Sequence, residues 1–153
     1  MLARAIIGAA LWEAAWWARR RSKRETLYAE ALQEARRLGR PLVVIGAPDR
    51  GATRGPGCGD LTVDVQESSC PVTVQHDITL GFPWPDDSVV VFVSCVLEYV
   101  AGDFDAVMRE LIRVSGGRLY VVRVEPWTAT AYLYPGTKRV VTTASLRRYG
   151  ART

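Results

Sequence analysis

The sequence predicts an α/β fold: a mostly parallel sheet of about five strands, preceded by a long N-terminal helix. Two observations carry this. Short, continuous β-branched runs recur between residues 42 and 124, and such runs mark strands buried on both faces. One run is followed by a helix-period segment and then by another run, which is the strand–helix–strand order of right-handed parallel crossovers. The length of 153 residues, 48% apolar content and 24% charge fit one folded domain. They exclude a disordered tail, a collagen-like repeat and a multi-span membrane protein.

The chain opens with MLARAIIGAALWEAAWWA, where only Arg4 and Glu13 are charged, and then with Arg19, Arg20, Arg21, Lys23 and Arg24. An apolar stretch of about 17 residues stands at the lower edge for spanning a bilayer. Trp12, Trp16 and Trp17 suit a membrane interface, and the basic block would stay on the cytoplasmic side. Because that block follows the apolar stretch, a secretory signal is disfavoured. The expectation is a transmembrane or membrane-associated helix with the globular domain on the cytoplasmic side. The competing expectation is that residues 1–24 pack on a partner protein within a larger assembly. Residues 22–38 continue as an amphipathic helix, with Leu27, Ala31, Leu32, Ala35 and Leu38 at helical spacing. Gly39 and Pro41 end it. The first 38 residues can form one helix.

Strands are expected at Leu42–Ile45, Leu61–Val65, Val72–Gln75, Val89–Ser94 and Leu119–Val124. Asp103 should cap a helix from Phe104 to Val114, which Gly116 and Gly117 end. Three segments follow: a helix at 1–38, an α/β domain at 39–126, and an aromatic and basic arm at 127–153. Only about 15 residues join the first two strands, and 66–71 join the next two. A parallel crossover normally needs about a dozen or more. The sheet therefore lacks part of its cover, and a protein partner or a second copy should complete it.

Charge is uneven. Residues 1–40 carry nine basic and four acidic residues, 41–140 eight and twelve, and 141–153 three basic residues and no acid. An acidic middle between basic ends speaks against a nucleic-acid binder. Cys58, Cys70 and Cys95 make an odd count without a CxxC pair. That argues against a disulfide framework and fits a reducing compartment. One histidine, His76, with three scattered cysteines is a poor zinc set, so no metal is expected.

In open parallel sheets, ligands sit beyond the carboxyl ends of the strands. Acids gather at those ends: Asp49, Asp64, Asp77, Glu98 and Glu125. The stretch Asp77–Pro126 adds a more specific pattern. Phe82-Pro83-Trp84-Pro85-Asp86-Asp87-Ser88, the strand Val89–Ser94, Val96-Leu97-Glu98-Tyr99-Val100 and Arg109-Glu110-Leu111-Ile112-Arg113-Val114 follow one another. This third of the chain resembles the second half of the class I S-adenosylmethionine-dependent methyltransferase core, of the type 11 kind. The resemblance implies a reduced Rossmann-like fold with S-adenosylmethionine as cofactor. It implies that Asp77 neighbours the adenine and that Ile78 packs on it. Asp64, 19 positions after Ile45, would hold the ribose hydroxyls. Gly46 and Asp49 would border the methionine part, with Ser94 beside the reaction centre. Methyl transfer needs chiefly alignment, so no catalytic residue is fixed by the pattern. His76 and Glu98 are the candidate bases.

The chain also departs from that family. Val43-Val44-Ile45-Gly46-Ala47-Pro48-Asp49-Arg50-Gly51 keeps only scattered glycines where a compact glycine turn leads into a helix. Pro48 lacks an N–H to offer a ligand. These departures imply a second expectation, a non-catalytic, membrane-associated assembly component built on the same fold.

Overall fold

The structure is a computed structural model. It describes residues 2–48, 57–124 and 136–153; before Arg24, side chains of the first helix are described only at scattered positions. Expectations at Asp49, Glu125 and residues 127–135 lie outside the described residues.

Helix α1 (Leu2–Leu38) precedes β1 (Leu42–Ile45), β2 (Leu61–Asp64), β3 (Thr73–Gln75), β4 (Val90–Ser94), α2 (Phe104–Ser115), β5 (Leu119–Val122) and a short α3 (Thr143–Arg147). The five strands form one sheet in the order β3-β2-β1-β4-β5, every pair parallel. This is the expected α/β, Rossmann-like sheet behind a long helix. Its strands are only three to five residues long. That shortness resolves the crossover problem. A strand of four residues is about 13 Å long, so the residues 65–72 that join β2 to β3 have the reach to return along it.

The two faces have different covers. Val43, Ile45, Val63, Val91, Val93 and Val121 point to the α2 side, where Met108, Leu111 and Val114 meet them. Leu42, Val44, Val90, Phe92, Tyr120 and Val122 point to the other side, where Leu27, Ala31 and Ala35 of α1 meet them. The crossovers β1–β2 and β2–β3 must pass on this second face, opposite α2, if they are right-handed. Among the described residues they place no helix there. Helix α1 takes that place. Ala31 and Ala35 are fully buried, and their small side chains let the helix backbone approach the sheet. Tyr28 meets the edge of the Phe92 ring at 5.4 Å, and its hydroxyl accepts a hydrogen bond from the Gly59 amide at 3.1 Å. Arg36 grips Asp60 with two hydrogen bonds of 3.0 and 2.9 Å. The same Asp60 accepts from the Leu42 amide, so α1, β1 and the segment before β2 share one carboxylate.

Three expectations change. Helix α1 is continuous, but no helix among the described residues is long and apolar enough to cross a membrane. The charges of Arg4 and Glu13 and the three indoles dilute the apolar stretch. Second, Cys58 and Cys70 form a disulfide 12 positions apart, and Cys95 stands outside it. The odd count hid a pair that the β1–β2–β3 register brings to the same end of the sheet. Third, Arg24 does not stand with the exposed basic block. It is 2% exposed and turned into the fold, because it falls on the same helix stripe as Leu27, Tyr28, Ala31 and Ala35.

The basic tail also folds back. Thr142 and Ser145 cap each other's backbone at the start of α3. Beyond it, the Arg152 amide donates to the Leu119 carbonyl and the Val121 amide to the Arg152 carbonyl, both at 2.8 Å. This short parallel bridge closes the β5 edge. The β3 edge has no such cover among the described residues.

The disulfide spans the segment that contains β2. Constraining a loop of this size should contribute about 3 kcal/mol. Cys70→Ser is expected to lower the unfolding free energy by that amount, read as a lower urea midpoint, and reductant should bring the wild-type protein to the same midpoint. Equal midpoints for the oxidised wild type and the variant would show that the bridge does not constrain the unfolded chain.

Candidate functional site

Strand register and side-chain alternation bring three of the expected cofactor residues together. Asp64 and Ser94 end β2 and β4, and Gly46 follows β1 between them. All three fall on the α1 face, at the carboxyl end, where the strand order reverses between β1 and β4. That is the topological switch point of such a sheet.

Gly46 is required there by shape. Its amide donates to the Val63 carbonyl at 2.9 Å, and it takes φ of +92°. A Cβ at this position would lie 2.8 Å from the Ser94 carbonyl oxygen and collide with Val96. Asp64 receives the Ala47 amide on one oxygen at 2.8 Å and the Gln66 amide on the other at 2.9 Å. It therefore ties the end of β1 to the turn after β2. Each carboxylate oxygen keeps a second lone pair, and the residue is half-buried. The Ser94 hydroxyl accepts from Arg24 Nε at 3.0 Å. The Arg24 guanidinium also lies 5.7 Å from the centre of the Phe92 ring. Next to this group, Cys95 takes φ of +53°, a left-handed conformation uncommon outside glycine.

Glu98 is 2% exposed. Its carboxylate accepts the Val124 amide, and its carbonyl accepts the amides of Lys138 and Arg139. It thus lashes the β4–α2 connection to the end of β5 and to the C-terminal segment.

The remaining expected residues fall elsewhere. The Asp77 carboxylate accepts from the Thr79 amide at 2.9 Å and the Thr79 hydroxyl at 2.8 Å, capping a 3-10 turn at Ile78–Leu80. These bonds, the amide's first, hold the carboxyl below its ordinary value. Ile78 is 6% exposed and belongs to the core on the α2 side. Asp49 is outside the described residues. Arg24 was missed by sequence reasoning, although a basic residue on an apolar helix stripe was its signal.

A second concave region lies on the α2 side, away from Gly46, Asp64 and Ser94. It is a cavity of about 510 Å³ between the face of β2–β3 and the segment 80–84. His76 lines it, and its Nε2–H donates to the Gly81 carbonyl at 2.5 Å. Glu110 of α2 accepts the Phe82 amide at 2.9 Å and pairs with Arg113. Arg113 in turn donates to the Phe82 and Trp84 carbonyls at 3.1 and 2.9 Å. Hydrogen bonding from Arg113, followed by the Phe82 amide, holds the Glu110 carboxyl down at about 2. Among the described residues, no cluster of His, Cys, Asp and Glu is placed to hold a metal ion.

Comparison with known proteins finds no matching family model, no similar curated protein and no similar solved structure.

Two predictions follow from these contacts. Gly39 takes φ of +62° with open space around it, so Gly39→Ala should cost about 1 kcal/mol of backbone strain. Gly46→Ala adds the collision with β4 and should cost about 3 kcal/mol or more. Equal losses in urea unfolding would contradict the close approach at the switch point. The second concerns acid. The Glu110 carboxyl is lowered on folding from 4.5 to about 2. Its stabilisation is complete above pH 4.5 and fades as pH falls towards 2. Glu110→Gln should remove about 2 kcal/mol at pH 7, allowing for partial exposure, and flatten the stability curve between pH 4.5 and 2.

Proposed function

We propose that this chain is a reduced methyltransferase-like domain that binds S-adenosylmethionine beyond the carboxyl ends of β1, β2 and β4. The observation that carries the reading is the convergence of Gly46, Asp64 and Ser94 at one level and on one face of a β3-β2-β1-β4-β5 parallel sheet. The ribose end of the cofactor fits what is there. Asp64 retains acceptor capacity for a pair of hydroxyls, and Gly46 presents backbone without a side chain. The adenine end fits less well, because Ile78 is buried in the core rather than facing the crevice. When bound, the cofactor would supply an activated methyl group. The chain's part would be to align an acceptor and exclude water. Asp64 would orient the ribose, and Arg24 would fix the Ser94 hydroxyl.

A second reading is favoured by a specific observation. The polar groups of this crevice are already engaged within the fold: Asp64 holds two backbone amides and Ser94 holds Arg24. A fold with its switch point filled in this way suits a non-catalytic component of a larger assembly. In this reading, residues 1–24 make contact with a membrane surface or a partner protein. The exposed Trp12, Arg19, Arg21 and Lys23 supply the apolar and basic contacts such a surface needs.

Calorimetric titration of the full chain with S-adenosylmethionine separates the two. The first reading expects saturable one-to-one binding, weakened at least tenfold by Asp64→Ala in a sample with native circular dichroism. Ser94→Ala, which leaves the Asp64 clasp in place, should weaken it less. Absence of binding by the folded wild-type chain would remove the cofactor reading and leave the assembly component.

A further inference from the structure

We propose that the cavity on the α2 side of β2 and β3 is a binding site for an uncharged aromatic molecule carrying one hydrogen-bond donor. It is independent of the cofactor reading, because it shares no residue with Gly46, Asp64 or Ser94.

The cavity arises from the topology. The β3–β4 crossover passes over this face without a helix longer than the turn at Ile78–Leu80. Helix α2 packs over β4 and β5, so the cavity borders the buried Val63 and the partly exposed Leu61 and Val74, an apolar patch on β2 and β3. Val74 remains 42% exposed and Leu80, at the mouth, 78%. The volume of about 510 Å³ falls within the usual range for small-molecule sites, about 300–1,000 Å³.

The wall beside this patch is built rather than collapsed. Phe82 and Trp84 stack at 5.0 Å with 14° between their planes, and both bound the cavity. Their backbone is pinned by α2: Glu110 takes the Phe82 amide, and Arg113 takes both carbonyls. Two side chains thus hold the aromatic segment at both ends, so it cannot close over the exposed Val74 without breaking charge-assisted hydrogen bonds. A preorganised aromatic wall beside an apolar patch favours an aromatic ligand.

The polar groups set the rest of the specificity. His76 spends its Nε2–H on the Gly81 carbonyl. In the neutral ring, Nδ1 is then an acceptor, which calls for an N–H or O–H on the ligand. The Glu110 carboxylate borders the cavity with its oxygens already paired. It repels an anion and offers no bond in compensation.

N-phenyl-1-naphthylamine has this chemistry: fused rings, no charge and one N–H. 1-Anilinonaphthalene-8-sulfonate is its anionic counterpart. Titration of the full chain should give a saturable one-to-one fluorescence rise with the amine and at least tenfold weaker binding of the sulfonate. Val74→Trp, which fills the cavity from a partly exposed position, should weaken amine binding at least tenfold. If that variant loses native circular dichroism, Leu80→Asp at the mouth should cause a loss of similar size. Non-saturable binding, equal affinity for the sulfonate, or an unchanged signal in the folded variant would each overturn the proposal. The last result would place the dye outside the cavity.

Discussion

Leu27, Ala31 and Ala35 lie against Leu42, Val44, Val90 and Phe92, and this contact supplies the layer that short strand connections leave out. A parallel sheet buries both faces, and helices usually arrive with the crossovers. Here β1–β2 and β2–β3 contribute none among the described residues. The cover comes instead from the helix that precedes the first strand. Burial of Leu27 alone contributes about 2 kcal/mol, and the alanines matter through the approach they permit. The Arg36–Asp60 pair and the Tyr28–Gly59 bond then fix the helix over β1 and β2.

Coverage falls off from one side of the sheet to the other. Strands β1 and β5 are buried along their whole length, β4 nearly so, and β3 is largely exposed. The C-terminal bridge at Arg152 closes the β5 edge, and the Arg152 guanidinium reaches the Tyr120 hydroxyl at 2.6 Å. Near β3 the work passes to polar groups. The Cys58–Cys70 bridge secures the flanks of β2, and the Glu110–Arg113 pair holds the crossover segment. Where hydrophobic burial is thin, covalent and charged contacts carry the geometry. The cavity exists for that reason.

Much of this was legible in the sequence, and the reasons differ by element. The strands at 42–45 and 119–122 were clear because continuous β-branched runs have few other uses in a protein this size. The Asp103 cap of α2 was readable because capping is a local matter: its side chain accepts the Ala106 amide. The α1 stripe was readable as a helix, but its target face was not. Arg24 needed a three-dimensional partner, Ser94, seventy positions away. The disulfide was illegible for the same reason, since its geometry depends on the register of β2 and β3. At the site, Asp64 was readable as an acid at a strand end, a local signal, whereas Gly46 and Ser94 came only from the methyltransferase resemblance. Ile78 was misplaced because the turn capped by Asp77 directs it inward.

One uninterrupted helix links the two ends of this structure. One stripe of its second half, Arg24, Leu27, Ala31 and Ala35, is buried in the core. Every side chain described before Arg24 is exposed. At about 1.5 Å per residue, the outer half extends roughly 30 Å. A helix without a break transmits orientation, because bending it costs backbone hydrogen bonds. Arg24 stands at the junction, bonded to Ser94 beside Gly46. The outer half of α1 is thus joined, through the helix itself and one buried guanidinium, to the carboxyl edge of the sheet.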